Sequence, residues 1–170
     1  MRYIITIMVA LIATTAVSQT AIDKYFTDFD SDDSFTSISI SGKMFQLLTH
    51  IEGESDDEKE ILETVSKLEG MKMLVKERVA PGEGIYRSAI KRLGSEFEEL
   101  MRVEDKEENL IFFIRETNGQ IRELVLIGSG EDELFIMSLI GDIDLNQIAR
   151  IGRAIEVDGF EHLEKIGDAK

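Results

Sequence analysis

Leu110 to Gly141 reads LIFFIRETNGQIRELVLIGSGEDELFIMSLIG, and the fold turns on how this stretch is divided. Three apolar runs, Leu110–Glu116, Ile121–Ile127 and Leu134–Gly141, are separated by turn residues and are too short to be helices. Asn118-Gly119 marks a tight hairpin, because both residues tolerate the positive φ such a turn demands. The GSGED segment joins the second run to the third. The runs are apolar at odd and even positions alike, so these strands bury both faces. If Phe112 and Ile114 face one core, Ile111 and Phe113 face away from it, and we group Leu124, Leu126, Phe135 and Met137 with the latter.

Toward the N-terminus the pattern changes period. Tyr86, Ile90, Leu93, Phe97, Leu100 and Met101 recur at helical spacing after the loop Ala80–Gly84, which holds the sole proline. Met71 to Val79 alternates as a strand. Ser55-Asp56-Asp57-Glu58 is a capping box for a helix with Ile61, Leu62, Val65 and Leu68 on its buried stripe, which Gly70 ends. Met44, Leu47, Leu48 and Ile51 mark another helix. Phe35 to Ser41, FTSISIS, alternates strictly, with Ile38 and Ile40 toward a core and serines toward solvent, as in a strand near a sheet edge. Thr20 to Asp23 opens a helix carrying Ile22, Phe26 and Phe29. Downstream, Asp144 caps a last helix with Leu145, Ile148, Ile151 and Ile155, ahead of a polar tail.

This order predicts an α+β fold: a two-layer sandwich with a mixed or mostly antiparallel sheet of about five strands and helices packed on one face. The second apolar face of the sheet then needs cover, from the chain's own termini or from an unknown protein partner or homodimer. No repeat or linker divides residues 19–170, which are read as a single domain.

Residues 1–18 are read apart from that domain. Met1-Arg2-Tyr3, the apolar run Ile4–Ala13 and the small residues Ala16-Val17-Ser18 have the layout of a secretory signal peptide, and the run is too short to span a bilayer. Cleavage after Ser18 leaves Gln19 first and a product with no membrane insertion, exported to the periplasm or secreted. The chain has no cysteine, which removes disulfides, thiolate metal sites and lipid attachment to an N-terminal Cys. Its formal charge is −15, and loss of Arg2 takes it to −16. Phosphate backbones and anionic membranes repel such a surface, so nucleic acid is not an expected partner.

Candidate chemistry is sparse. In FTDFDSDDSF, Phe26 to Phe35, Asp28, Asp30 and Asp32 take positions 1, 3 and 5 of a calcium loop. Position 6 is Asp33 rather than Gly, position 12 is Ser39 rather than Glu, and a strand follows instead of a helix. The segment reads better as a solvated helix exit with Asx turns. His50 and His162 lie far apart with no neighbouring His or Cys, against a zinc site. Gly128-Ser129-Gly130 lacks the residues of a nucleophile elbow or phosphate loop and sits between two strands. Arg150 and Arg153 balance local acids more readily than they build an anion site. No catalytic, cofactor-binding or metal-ligating residue is nominated, and no cofactor is implied.

FTSISISGKMFQLL, then LEGMKMLVKE, then FEELMRVEDKEENLIFFIRETNGQIRELVLIGSGEDELFIMSLIGDIDL follow one another in the chain. Together they resemble an exported bacterial family of Bacteroides-like organisms, domain of unknown function 4252, over about Ile22 to Ile155. The resemblance implies a signal peptide and carries no catalytic residues. The expected function is an exported, non-enzymatic binding or interaction module of the bacterial envelope. The alternatives are a small-ligand-binding protein or enzyme with an unrecognised pocket, and a weak calcium-binding exported protein.

Overall fold

The computed structural model describes residues 19–49, 56–79, 84–104, 109–130 and 132–148. The bounded elements among the described residues run in order: α1 (Ala21–Tyr25), α2 (Thr27–Asp30), β1 (Thr36–Ser41), α3 (Gly42–Leu48), α4 (Asp56–Ser66), β2 (Leu68–Glu77), α5 (Ile85–Arg92), β3 (Glu98–Glu104), β4 (Asn109–Thr117), β5 (Gln120–Ser129) and β6 (Glu133–Ile143), and residues 145–148 after β6 are helical. The six strands form one sheet in the order β1-β2-β6-β5-β4-β3. Every neighbouring pair is antiparallel. β3 to β6 form a meander of short connections, and β6 closes onto β2. The fold is α+β, with six strands rather than five.

The additional strand, β3, lies where the helix pattern of Tyr86–Met101 was expected to continue. α5 ends at Arg92, Leu93 turns to extended backbone, and the Phe97 amide bonds back to the Gly94 carbonyl to redirect the chain. β3 is irregular: its register against β4 shifts between Glu99 and Met101. The extra residue at this bulge breaks the two-residue alternation, so Leu100, Met101 and Val103 all pack against one core cluster. Apolar residues at 97, 100 and 101 thereby imitate a helical stripe.

The helices divide between both faces of the sheet, a correction to the one-faced sandwich. One face carries Leu110, Phe112, Leu124, Leu126, Met137 and Leu139, met by Phe45 and Leu48 of α3 and Val65 of α4. The other carries Leu74, Ile111, Phe113, Val125, Ile127, Leu134 and Ile136, met by Ile22, Phe26 and Phe29 of α1 and α2 and by Ala89 of α5. The chain's own helices therefore supply the second face's cover. Of the two expected covers, the chain's own N-terminal helix or a partner or homodimer, the first is found: the face is occupied by Phe26 and Ile22, both 0% exposed.

Leu124, Leu126, Phe135 and Met137 lie on the face of Phe112, not of Phe113. The hairpin turn pairs Thr117 with Gln120 and Glu116 with Ile121; carried onward, that register would set Phe113 opposite Leu124. An extra residue at Arg122 shifts the register, so Ile114 faces Leu124 and Phe112 faces Leu126. Directly opposed residues share a face, so one bulge exchanges the faces of all that follows. β6 and β2 are also irregular at this level, and Arg122 binds Glu69 across them at 2.6 Å.

Gly70 lies inside β2 and does not end α4, which stops at Ser66. The N-terminal helix is broken at Phe26 into α1 and α2, which still bury Ile22, Phe26 and Phe29 on one side. β1 is an edge strand as expected, yet Ile38 remains 42% exposed. No described helix is long and apolar enough to cross a membrane.

Candidate functional site

The aspartates of Phe26–Phe35 do not converge on a common point. Asp28 binds Arg92 of α5 at 2.7 Å, and Asp30 binds Lys72 of β2 at 2.6 Å. Asp32 accepts the Ser34 amide at 2.9 Å, an Asx-type bend. Asp23 of α1 shares Lys72, at 2.8 Å. Lys72 clamps α1 and α2 to the sheet and Arg92 ties α5 to α2, so Asp28, Asp30 and Asp32, three of the four aspartates of Phe26–Phe35, are spent on these pairs or on the bend. Among the described residues, no three His, Cys, Asp or Glu side chains are arranged to hold a metal. His50, His162, Arg150 and Arg153 lie outside the described residues. Gly128 and Ser129 end β5, and the Gly130 amide bonds to the Glu133 carbonyl, so the GSG run is a hairpin connection. Gly128 is needed because the Phe135 ring covers it: a Cβ there would lie 2.3 Å from the ring.

The Lys72 clamp titrates. Hydrogen bonding from Lys72 lowers the Asp30 carboxyl below its ordinary value. Burial pushes Asp23 upward, but bonds from Lys72 and Thr20 outweigh it and the net shift is downward. Burial likewise depresses Lys72, and its two carboxylates override this and raise it. Depressed carboxyls stabilise the fold above their unfolded values near 3.8, and this contribution is lost as pH falls through the lowered folded values. A raised lysine stabilises fully below its ordinary value and loses that stabilisation as pH rises through the raised one. Lys72→Met is expected to lose about 1–2 kcal/mol at pH 7, discounted for the partial exposure of both aspartates. Urea unfolding followed from pH 7 to pH 2 checks this, because the gap from the parent should close in acid.

Among the described residues one carboxylate is fully buried. Glu123 of β5 is 1% exposed. Its Oε1 accepts the Ala21 amide at the start of α1 and the Ser138 hydroxyl of β6. Its Oε2 accepts two Arg115 N–H groups, at 2.9 and 3.1 Å. The bulge at Arg122 turns Glu123 onto the face covered by α1, beside Arg115 and Ser138. A pocket of about 240 Å³ adjoins it, lined in part by Gln19, Tyr25 and Glu96. Hydrogen bonds from Lys24 and Tyr25 hold the exposed Glu96 carboxyl down at about 2. Sequence reasoning passed over Glu123, because in a chain with 34 acids one more carboxylate carries no signal. Its place inside the apolar run from Ile121 to Ile127 was the clue.

A larger pocket, about 500 Å³, opens at the other face between the β4–β5 turn and the start of the helix after β6. Ile114, Ile121, Ile143 and Leu145 form apolar wall, with Asp142, Asp144 and Lys67 at its polar parts. Asn146 Oδ1 and Gln147 Oε1 are buried there without a hydrogen-bond partner among the described residues. Asp144 is already engaged as the helix cap, accepting the Asn146 amide at 2.9 Å.

The third feature is a surface. Ile38 of β1 and Met44 and Leu47 of α3 are 42%, 49% and 50% exposed. Ile40 and Leu48 beside them reach the core cluster of the first face, to which Met71, Met73, Met101 and Met137 also contribute. Methionine is pliable and polarisable, suited to surfaces that repack around a partner.

A family model described as a domain of unknown function (DUF4252) matches residues 27–151. The chain belongs to this DUF4252 family. The match runs from the start of α2 through the whole sheet, so the fold described above is the family's domain in this chain. No curated protein and no solved structure matches the chain.

Proposed function

We propose that this DUF4252 protein is an exported, non-enzymatic binding module of the bacterial envelope, which engages its partner through α3 and the adjoining edge strand. The exposed apolar trio Ile38, Met44 and Leu47 carries this reading. Water-exposed apolar side chains grouped on one short helix and strand mark interaction sites more often than isolated ones do. Two further features support it. The buried carboxylate has both oxygens committed to structural donors, and the aspartates that resemble a metal loop are tied to Lys72 and Arg92. Export is supported by the layout of residues 1–18 and by the position of the cap. Thr20 caps α1 through a capping box, and Ala21 and Ile22 are buried. A cut after Ser18 therefore spares the described contacts that dock α1.

The Met44→Glu/Leu47→Glu double variant is expected to lose at least about tenfold in capture of envelope proteins, with its melting temperature little changed because both side chains are exposed. Cross-linking pull-down from the native envelope, with N-terminal sequencing of the recovered protein, checks both halves of the reading. Equal capture by parent and variant removes the surface, and a first residue other than Gln19 removes the processing site.

A second reading, a small-ligand-binding protein, is favoured by the 500 Å³ pocket and its two buried amide oxygens that find no donor among the described residues. Such oxygens suit a ligand that donates hydrogen bonds and lays an apolar body on Ile121 and Ile143.

A further inference from the structure

We propose that the partner of the β1 edge is a second copy of the chain, joined by antiparallel pairing of β1 with β1 about a two-fold axis at Ser39. The proposal rests on the interaction surface argued above and names its occupant.

The two edges of the sheet are built differently. β3, at one edge, carries Glu98, Glu99, Arg102 and Glu104 and is bulged, with Arg102 tied to Glu99 and Glu104. Charges and a bulge are the usual means of keeping an edge from pairing with another chain. β1, at the other edge, has neither. Its residues Thr36–Ser41 are uncharged, and its six-residue register against β2 is unbroken. All but Ile40 are exposed. No described strand pairs with this edge, which offers its outward N–H and C=O groups to another strand.

The sequence of the strand is self-complementary. Ser37-Ile38-Ser39-Ile40-Ser41 reads the same in both directions about Ser39. Antiparallel pairing about that residue sets Ser39 against Ser39 of the partner, Ile38 against Ile40, and Ser37 against Ser41. Each pairing joins positions of the same parity, so outward-pointing backbone groups meet outward-pointing ones and opposed side chains share a face. Ile38, half-exposed in one copy, then packs on the other copy's Ile40, on the face where Met44 and Leu47 stand. A two-fold contact of this kind is isologous and closes at the dimer, with no open edge carried forward.

Charge permits the contact. The chain carries 34 acids, yet Ser34 to Ile51 contains none. Two strongly anionic molecules thus meet through a segment whose only Lys or Asp/Glu charge is Lys43. The antiparallel two-fold also brings the end of β1 that follows Asp32 and Asp33 against the end that precedes Lys43. Both aspartates and Lys43 are exposed, and opposite charges facing across a two-fold favour that register.

Sedimentation of the processed full chain at micromolar concentration is expected to give a dimer, and Ile38→Lys a monomer that still unfolds cooperatively in urea, at a midpoint lowered only by the lost association. The register is tested by cysteines placed in this cysteine-free chain. Across the axis Ser39 meets its own counterpart at about 4.5–5.5 Å between Cα atoms, inside disulfide range. Ser37 lies about 13 Å from its counterpart. Ser39→Cys should therefore oxidise to a covalent dimer, with Ser37→Cys about tenfold slower or worse. A monomeric parent overturns the proposal. So does a dimer indifferent to Ile38→Lys, or equal cross-linking at the two positions. A monomeric parent that still loses partner capture on Met44→Glu/Leu47→Glu leaves the binding-module reading standing and removes only the second copy as occupant.

Discussion

Glu123→Ala is expected to be about 3–5 kcal/mol less stable than the parent, a large share of the stability of a domain this size. The carboxylate is 1% exposed and ties its own strand β5 to α1, β4 and β6. Its removal leaves the Ala21 amide and the Ser138 hydroxyl without an acceptor inside the fold, each a cost of about 1–3 kcal/mol. It also leaves the Arg115 guanidinium, 27% exposed, to find water by itself. Because the Ala21 amide opens α1, the first consequence is local: α1 comes off the sheet and exposes Ile22 and Phe26. Glu123→Gln keeps an acceptor oxygen while losing the charge, and should cost about 1–2 kcal/mol. Urea midpoints give the order parent, Gln, Ala, and hydrogen exchange in residues 20–30 should accelerate before the rest of the chain. A Glu123→Ala protein within about 1 kcal/mol of the parent would show that the cluster does not anchor α1.

Gly141→Ala is expected to cost about 3 kcal/mol, although it adds one methyl group. A Cβ at Gly141 would lie 2.5 Å from the Lys67 carbonyl oxygen and 2.9 Å from the Leu68 Cα. Both obstacles are backbone, so no rotamer change relieves them. The close approach occurs where β2 meets β6 at an irregular register, and the Asp142 amide bonds to the same Lys67 carbonyl at 3.1 Å. Separating the strands therefore gives up that bond and disturbs Ile143, which is 6% exposed. Gly84→Ala is the control: nothing lies within 4 Å of the added carbon, and the change should be within about 0.5 kcal/mol. Thermal unfolding of the two variants compares them directly, and equal midpoints would contradict the contact.

Composition and short-range pattern carried much of the architecture. Asn118-Gly119 and the apolar runs around it place the β4–β5 hairpin, FTSISIS places the edge strand, and the apolar richness of β4, β5 and β6 on both sides announces a sheet buried on both faces. These features are local, set by turn geometry and side-chain alternation over a few residues, and they survive without knowledge of the rest of the chain.

The bulges were not legible. A bulge at Leu100 makes a strand look like the end of a helix, and one at Arg122 reverses which side chains share a face with Phe112. A bulge depends on what the neighbouring strand requires, and that strand is distant in sequence: Arg122 meets Glu69, and Gly141 meets Lys67. The same holds for the clusters. FTDFDSDDSF shows three alternating carboxylates, but the partners that occupy Asp28 and Asp30, Arg92 and Lys72, arrive from α5 and β2. Glu123 is one acid among many until Ala21, Arg115 and Ser138 surround it. Periodicity reports which residues avoid water, because burial is a property of each side chain along its own element. Which distant groups meet, and whether a charge is spent or left available, is settled only when the packed sheet fixes the register of strands that the chain keeps far apart.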